Sequence, residues 1–250
     1  MKKSLFALLL SALLVSCYDN RPATVVQPAN IHADGDSTFY GLVCEGTNDT
    51  ILVFLNNPYD GADPDTLNIL QAMKEQRVLG SLRIGDKVAV LRDTADTTSA
   101  RLLIVVEDLM GQWCYKVKPT LRKTADKDGQ STAHVISQLS DSIRQLLDEE
   151  REYGFVLKID SMVRNIGARG TSADDESPVV YSKPKRYVQW FLRNGKLLLT
   201  VLHPDSLISA EQEADTADII KLTPDSLVLR FSEGEQGYYR KEETDDPAAR

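Results

Sequence analysis

Val188-Gln189-Trp190-Phe191-Leu192-Arg193-Asn194-Gly195-Lys196-Leu197-Leu198-Leu199 reads as two strands and the turn between them. A two-residue hairpin turn that matches the twist of its strands needs φ above zero at both central positions, and Asn and Gly tolerate this best. Apolar runs on both sides of Asn194-Gly195 make the segment a β-hairpin rather than a surface loop. The same grammar recurs outward from it. Pro224-Asp225 sets a turn between Ile219-Ile220 and Leu227-Val228-Leu229. Upstream, Gly154-Phe155-Val156-Leu157-Lys158-Ile159 and the segment around Gly111-Gln112-Trp113 supply further strands, and Tyr238-Tyr239-Arg240-Lys241 closes the series.

Between Gly111 and Gly154 the pattern changes period. Val135, Leu139, Ile143 and Leu146 share one helical face, with Asp141, Arg144, Asp148 and Glu149 on the other. This predicts a solvent-facing amphipathic helix over about 132–152, inserted into the β-structure and either covering one end of the sheet or packing on the preceding region. That region, residues 37–107, has its own punctuation. Phe39 to Cys44 and Ile51 to Leu55 are strand-like runs joined by Glu45-Gly46-Thr47-Asn48-Asp49. Asp65-Thr66 can cap a helix carrying Leu67, Leu70, Met73 and the stem of Arg77 at helical spacing. Two more strands follow, one after the Gly85-Asp86 turn and one at Leu102 to Val106. A strand pair, a helix and two strands fit a small, partly open barrel of OB type, with one strand hard to place around Asn56 to Ala62. The expected fold class is mainly β, an OB-like barrel at 37–107 followed by a second β domain at 109–241 and a disordered tail at 242–250.

The second domain resembles the lipocalin-like domain found in lipoproteins of Bacteroidetes. The likeness rests on Gly111-x-Trp113 opening a strand, the Trp190 strand with its turn and apolar return, the 218–229 pair, and the aromatic-aromatic-Arg step at Tyr238-Tyr239-Arg240. It covers roughly half of the chain, and the order of the pieces carries it. A calyx of this kind implies that Trp113, Phe155, Tyr181 and Trp190 either line a cavity for a small apolar ligand or fill the interior as core.

The amino terminus gives an address. Met1-Lys2-Lys3 is a positive n-region and Leu5 to Val15 an apolar stretch broken only by Ser11, which fits a secretory signal and falls short of the roughly 20 residues a membrane span needs. Leu14-Val15-Ser16-Cys17 resembles the lipobox of bacterial lipoproteins. That resemblance implies removal of residues 1–16 and lipidation of Cys17, whose several acyl chains give firm anchoring where one would not. Residues 17–36, rich in Pro, Asn, Asp and Ala, then form a flexible leash. The expected place is the cell envelope, at an outer membrane, with its periplasmic or surface face left open, and the bilayer is the expected partner through the Cys17 acyl chains. Loss of Lys2 and Lys3 takes the net charge from -8 to -10. A chain this acidic lacks the basic patch that nucleic acid requires. With Cys17 lipidated, Cys44 and Cys114 remain, either as a disulfide in an oxidising compartment or as buried thiols in apolar strands.

Catalytic motifs are absent from the sequence. His32, His134 and His203 are scattered, and no zinc, nucleophile-elbow or phosphate-loop spacing occurs, so neither cofactor nor metal is expected. Asp60, Asp63 and Asp65 could gather around calcium, but such residues more often serve turns and caps. The Asp174-Asp175-Glu176 run reads as a solvated loop tip. The expectation is a non-enzymatic binding or interaction module, with an envelope scaffold holding a filled barrel as the alternative and a hydrolase of envelope or glycan material third.

One pattern exceeds composition. Asp followed by Ser or Thr and then a small or apolar residue or Thr occurs at ten positions, where composition gives roughly one or two. It resembles the O-glycosylation triplet of exported Bacteroidetes proteins. The resemblance implies acceptor hydroxyls on Ser37, Thr50, Thr66, Thr94, Thr97, Ser142, Ser161, Ser206, Thr216 and Ser226. Asp-Ser and Asp-Thr steps also mark turns and caps, and both readings stand at this point.

Overall fold

In a computed structural model, residues 35–59, 61–121, 139–167, 179–201 and 213–242 are described. The segment 1–34 with Cys17, Ser206, Asp60, the three histidines, the tip at 174–176 and the tail beyond 242 lie outside them.

Alternating apolar residues build the first sheet. Its strands are β1 (Phe39–Val43), β2 (Ile51–Asn56), β3 (Asp65–Asn68), β4 (Val78–Leu79), β5 (Lys87–Arg92) and β6 (Ala100–Val105), in the order β3-β2-β1-β5-β6-β4. A parallel bridge between Asn68 and Ser99 brings the β3 edge back toward the start of β6, and the Asn68 N–H donates to the Thr98 carbonyl at 2.9 Å. Val43, Leu52, Phe54, Leu67, Ile69, Val88 and Val90 fill the interior.

Two expectations fail here. Asp65-Thr66 starts a strand, not a helix: Leu67 and Ile69 are buried while Thr66 and Asn68 are exposed, which is the period of two that a half-buried strand imposes. This strand is the one the sequence hid. The helix is only α1 (Leu70–Lys74), and it buries Ala72 while Leu70 and Met73 face outward.

A short helix α2 (Val106–Leu109) leads into the second sheet. This contains β7 (Gly111–Val117), β9 (Arg151–Leu157), β10 (Val163–Ile166), β12 (Tyr187–Arg193), β13 (Lys196–Val201), β14 (Ala214–Leu222), β15 (Ser226–Phe231) and β16 (Gly234–Lys241). A separate two-stranded sheet pairs β8 (Thr120–Leu121) with β11 (Val179–Val180). The eight strands run β10-β9-β7-β16-β15-β14-β13-β12, every neighbour antiparallel. The sheet is nearly closed. Met162 bridges Gln189 across the seam between β10 and β12, and the Trp190 N–H donates to the Ser161 carbonyl at 2.9 Å. Higher on the seam the Asn165 carboxamide donates to the Tyr187 carbonyl at 2.7 Å and accepts from its N–H at 2.8 Å. Close approach of β9 to β7 requires glycine at 154, because a Cβ there would stand 2.0 Å from the Trp113 carbonyl oxygen.

The inserted helix, α3, spans Asp141–Asp148 among the described residues and buries none of its side chains. Arg151 and Glu152, expected at its end, open β9 instead. Residues 132–138 of the expected helix lie outside the described ones.

The two sheets share a core. Leu79, Ala89, Ile104 and Leu109 pack in one cluster with Trp113, Leu192, Leu197 and Leu222. The Gly80 N–H donates to the Leu222 carbonyl at 3.2 Å, and the Tyr40 hydroxyl to the Leu192 carbonyl at 2.6 Å. The Asn194-Gly195 turn sits against the first sheet as well. Its Asn194 N–H donates to Asp36, and its carboxamide oxygen accepts from Ser37.

Candidate functional site

Strand direction separates the second sheet into two unlike ends. At the end nearer the first sheet the connections are short: Leu157 to Val163, Arg193 to Lys196, and Leu222 to Ser226. At the other end the chain leaves Val117, Ile166 and Val201 in the long connections to Arg151, Tyr187 and Ala214. Much of these connections lies outside the described residues; because functional residues concentrate at the ends where long connections leave a rigid scaffold, the far end is the candidate site.

Both tryptophans belong to the near half. Trp113 is fully buried and its indole N–H donates to the Leu109 carbonyl at 2.8 Å. Trp190 is 5% exposed and donates to the Lys158 carbonyl at 2.8 Å. The Arg240 guanidinium lies 4.2 Å from the Trp113 ring centre and donates to the carbonyls of Met110 and Asp108. These groups fill the near half of the interior with both indole N–H groups satisfied, while the buried Nε of Arg240 has no partner among the described residues. Phe155 also belongs to the core cluster. Tyr181 is elsewhere: it follows β11, donates to the Glu149 carbonyl at 2.7 Å and carries the Arg151 guanidinium 3.7 Å above its ring. Of the four aromatics named from the sequence as cavity or core, Trp113, Phe155 and Trp190 fall in one core cluster and Tyr181 lies outside it.

A different set of aromatics converges at the far end. Trp113 pairs with Phe155 across β7 and β9, so two residues along each strand Tyr115 pairs with Tyr153 on the same face. Tyr239 pairs with Cys114, which puts Tyr238 beside Tyr115, their rings 5.4 Å apart edge to face. Phe155 contacts Tyr238 at 5.1 Å and Tyr187 at 6.2 Å. Such edge-on contacts each add about 0.5–1.5 kcal/mol beyond area burial, so the rings form a rigid layer. This parity was legible once Trp113 and Phe155 were taken as inward.

The hydroxyls of this layer divide into two kinds. Tyr187 donates to Asp215 at 2.9 Å, and Lys185 bridges Asp215 and Glu233 at 3.0 and 3.1 Å. Tyr115, Tyr153 and Tyr238 have no hydrogen-bond partner for their hydroxyls among the described residues, although Tyr153 is 3% and Tyr238 8% exposed. None of these hydroxyls is a sealed, unpartnered buried atom, so each reaches solvent. Burial, and then the neighbouring Tyr115, pushes the Tyr238 phenol well above its ordinary value. Burial and then Asp215 does the same to Tyr187. Burial and then Tyr153 raises Tyr115. At neutral pH these groups are protonated and can donate a hydrogen bond.

The remaining sequence candidates are dispersed. Cys44 follows β1, half-buried, and Cys114 is buried in β7; both are free thiols and no disulfide joins them. Among the described residues no three His, Cys, Asp or Glu side chains gather as metal ligands; Asp63 is exposed and Asp65 pairs with Arg92. Of the acceptor hydroxyls, Ser37, Thr50, Thr66, Thr94, Thr97, Ser142 and Thr216 are exposed, while Ser161 and Ser226 are half-buried. Several of the preceding aspartates do turn work, as Asp36 accepts from Thr38, Asp93 from Ala95 and Asp160 from Met162.

No protein family and no curated protein matches the chain. The crystal structure of a lipocalin-like protein from Bacteroides thetaiotaomicron is similar to it at 20% identity, over 54% of this chain and 97% of that one, with a TM-score of 0.27.

Proposed function

We propose that this protein is a lipid-anchored, extracytoplasmic binding module of the bacterial envelope, that its second sheet is a lipocalin-like barrel standing on an OB-like base, and that it does no chemistry. One observation carries the binding role: the hydroxyls of Tyr153 and Tyr238, without partners among the described residues, sit on nearly buried rings at the end of the sheet from which the connections after Val117, Ile166 and Val201 leave. These hydroxyls reach solvent, so a ligand can take the place of the water that they meet there. The apolar ring layer beneath suits a small ligand with an apolar body. The Leu14–Cys17 motif supports the anchor, and the exposed Asp-Ser and Asp-Thr steps support glycan attachment at some of those hydroxyls.

Native mass spectrometry of protein recovered from its own membrane tests the binding role. A bound small-molecule mass is expected, and it should disappear when Tyr115 and Tyr238 are both replaced by Phe. An empty protein overturns the reading. Cys17→Ala should move the protein from the membrane to the soluble fraction, and unchanged membrane recovery overturns the anchor. Intact mass tests the glycans: lipid as the only added mass removes them.

A scaffold reading draws on a separate observation. The half of the interior around Trp113 and Trp190 is filled, and Ile84 and Ile159 are 68% and 75% exposed. A scaffold predicts that Ile159→Asp releases an envelope partner while leaving any bound ligand in place.

A further inference from the structure

We infer that the outer face of the β1–β2 hairpin is a membrane-contact surface: Leu42 and Cys44 of β1, with Ile51, Val53 and Leu55 of β2, rest on the lipid surface to which the chain is anchored. This rests on the reading of Cys17 as the lipid anchor and adds the face that the anchored body turns to the bilayer.

Alternation along the two strands decides which side chains share this face. Val43, Leu52 and Phe54 are buried in the first sheet's interior, so the residues beside them in sequence point the other way. Leu42 pairs directly with Leu55, and the Cys44 N–H donates to the Val53 carbonyl at 2.8 Å, which makes the five side chains one continuous apolar strip. None of them belongs to either core cluster; Ile51 is exposed and the other four are half-buried. Single apolar side chains on a surface are ordinary, whereas a contiguous strip marks contact with a protein or a membrane. The neighbouring strands frame it with Thr66 and Asn68 of β3 and with Lys87 of β5. Neither strand adds a carboxylate on this side, in a chain whose net charge is -8, so the strip escapes the repulsion that the acidic surface elsewhere meets at a membrane. The tether selects the bilayer as the occupant. Residues 18–34 separate Cys17 from Gly35 and span at most about 60 Å at full extension. At Gly35 and Asp36 the chain is tied down, the Asn194 carboxamide donating to the Gly35 carbonyl at 3.1 Å and the Asn194 N–H to Asp36 at 2.9 Å. The first strand after that tie is β1, so the strip lies on the hairpin that the tether enters. A face too weak to adsorb from solution meets lipid once a tether holds it at high local concentration, and its apolar area adds to the binding of the acyl chains. Like charge opposes a second copy of so acidic a chain in the same place.

The test uses the mature lipidated chain reconstituted into phosphatidylcholine vesicles, with Cys44→Ser so that a fluorophore can be attached at one introduced thiol; Cys114 is buried and stays unlabelled. A probe placed by Thr66→Cys, an exposed position paired with Val53, is expected to lose fluorescence to nitroxide-bearing lipids and to be shielded from iodide in the water. A probe placed by Lys116→Cys, exposed toward the far end of the second sheet, should show the reverse. Adding Ile51→Asp should lower the lipid contact of the first probe about tenfold, the worth of withdrawing one aliphatic side chain. Because Ile51 is already exposed, that variant should unfold at the parent's urea concentration, which separates lost contact from lost structure. Iodide reaching the probe at position 66 as readily as the probe at 116 overturns the inference and leaves the anchor standing. Shielding from both quenchers, with dimers seen by light scattering, gives the face to a second copy and also overturns it. A glycan on Thr66 in protein from its own membrane does the same, since the sugar would stand between strip and lipid. Absence of acyl mass on Cys17 overturns the anchor itself, and the inference with it.

Discussion

The Asn165 carboxamide satisfies both backbone groups of Tyr187, so one side chain stands in for a ladder step where β10 and β12 are otherwise joined by a single bridge. Replacement by leucine keeps the volume and orphans a donor and an acceptor. Asn165→Leu is expected to cost about 1–3 kcal/mol, read as a lower urea midpoint; an unchanged midpoint would show that the seam is held by Met162 and Gln189 alone. Glu152 gives a pH signature on the outer face of the same sheet. It accepts from Lys241 at 2.6 Å and from Tyr239, and these bonds, that from Lys241 first, hold its carboxyl below the usual range. A depressed carboxyl contributes stability that is complete above its unfolded value, about 4.3, and is lost as pH falls through the lower folded one. Both partners reach solvent, so the contribution stays below about 1 kcal/mol. The stability gap between the parent and Glu152→Gln should therefore be level from about pH 8 to about pH 5 and close below about pH 4. A gap that widens in acid contradicts the assignment.

Asn194 and Gly195 hold φ of +50° and +73°, as the two-residue hairpin demands. Gly195 is also the point where this turn meets the first sheet, and a Cβ there would stand 2.4 Å from Leu102 and 2.7 Å from Leu91. Gly85 has φ +91° with nothing within 4 Å of such a Cβ. Gly85→Ala should lose only the backbone cost of about 1–2 kcal/mol. Gly195→Ala should lose more by the displacement of two buried-side leucines, and equal losses in thermal melts would mean that the turn does not bear on the first sheet. Elements with a strong local signal were legible in the sequence: the 188–199 hairpin, the 219–229 pair and the strands around Trp113 and Phe155. The failures have physical causes. Leu67, Leu70 and Met73 stand at helical spacing, yet Phe54 and Leu52 on the neighbouring strand already offered Leu67 a sheet to join, and tertiary pairing overrode a local period. The tyrosine end was half legible. Tyr115 and Tyr153 follow from Trp113 and Phe155 by the period of two, but their meeting with Tyr187 and Tyr238 depends on the strand order of the whole sheet, which no local pattern carries.

The shared core decides how the molecule as a whole should unfold. Gly35 to Arg250 forms one compact unit, and Leu109, fully buried, sits between the sheets in the cluster that joins Leu79 and Ile104 to Trp113 and Leu222. Its own carbonyl accepts from the Trp113 indole, and Asp108 beside it accepts from Ser81 of the first sheet's connection while its carbonyl accepts from Arg240. A cavity at Leu109 thus weakens both sheets at once. Leu109→Ala is expected to cost about 2–5 kcal/mol. Both tryptophans lie in the second sheet, so their fluorescence reports that sheet, while far-ultraviolet circular dichroism reports the two together. If the core is shared, the two signals fall at the same urea concentration in the parent and move together in the variant. If each sheet carries its own stability, the circular dichroism curve splits and the tryptophan step shifts alone.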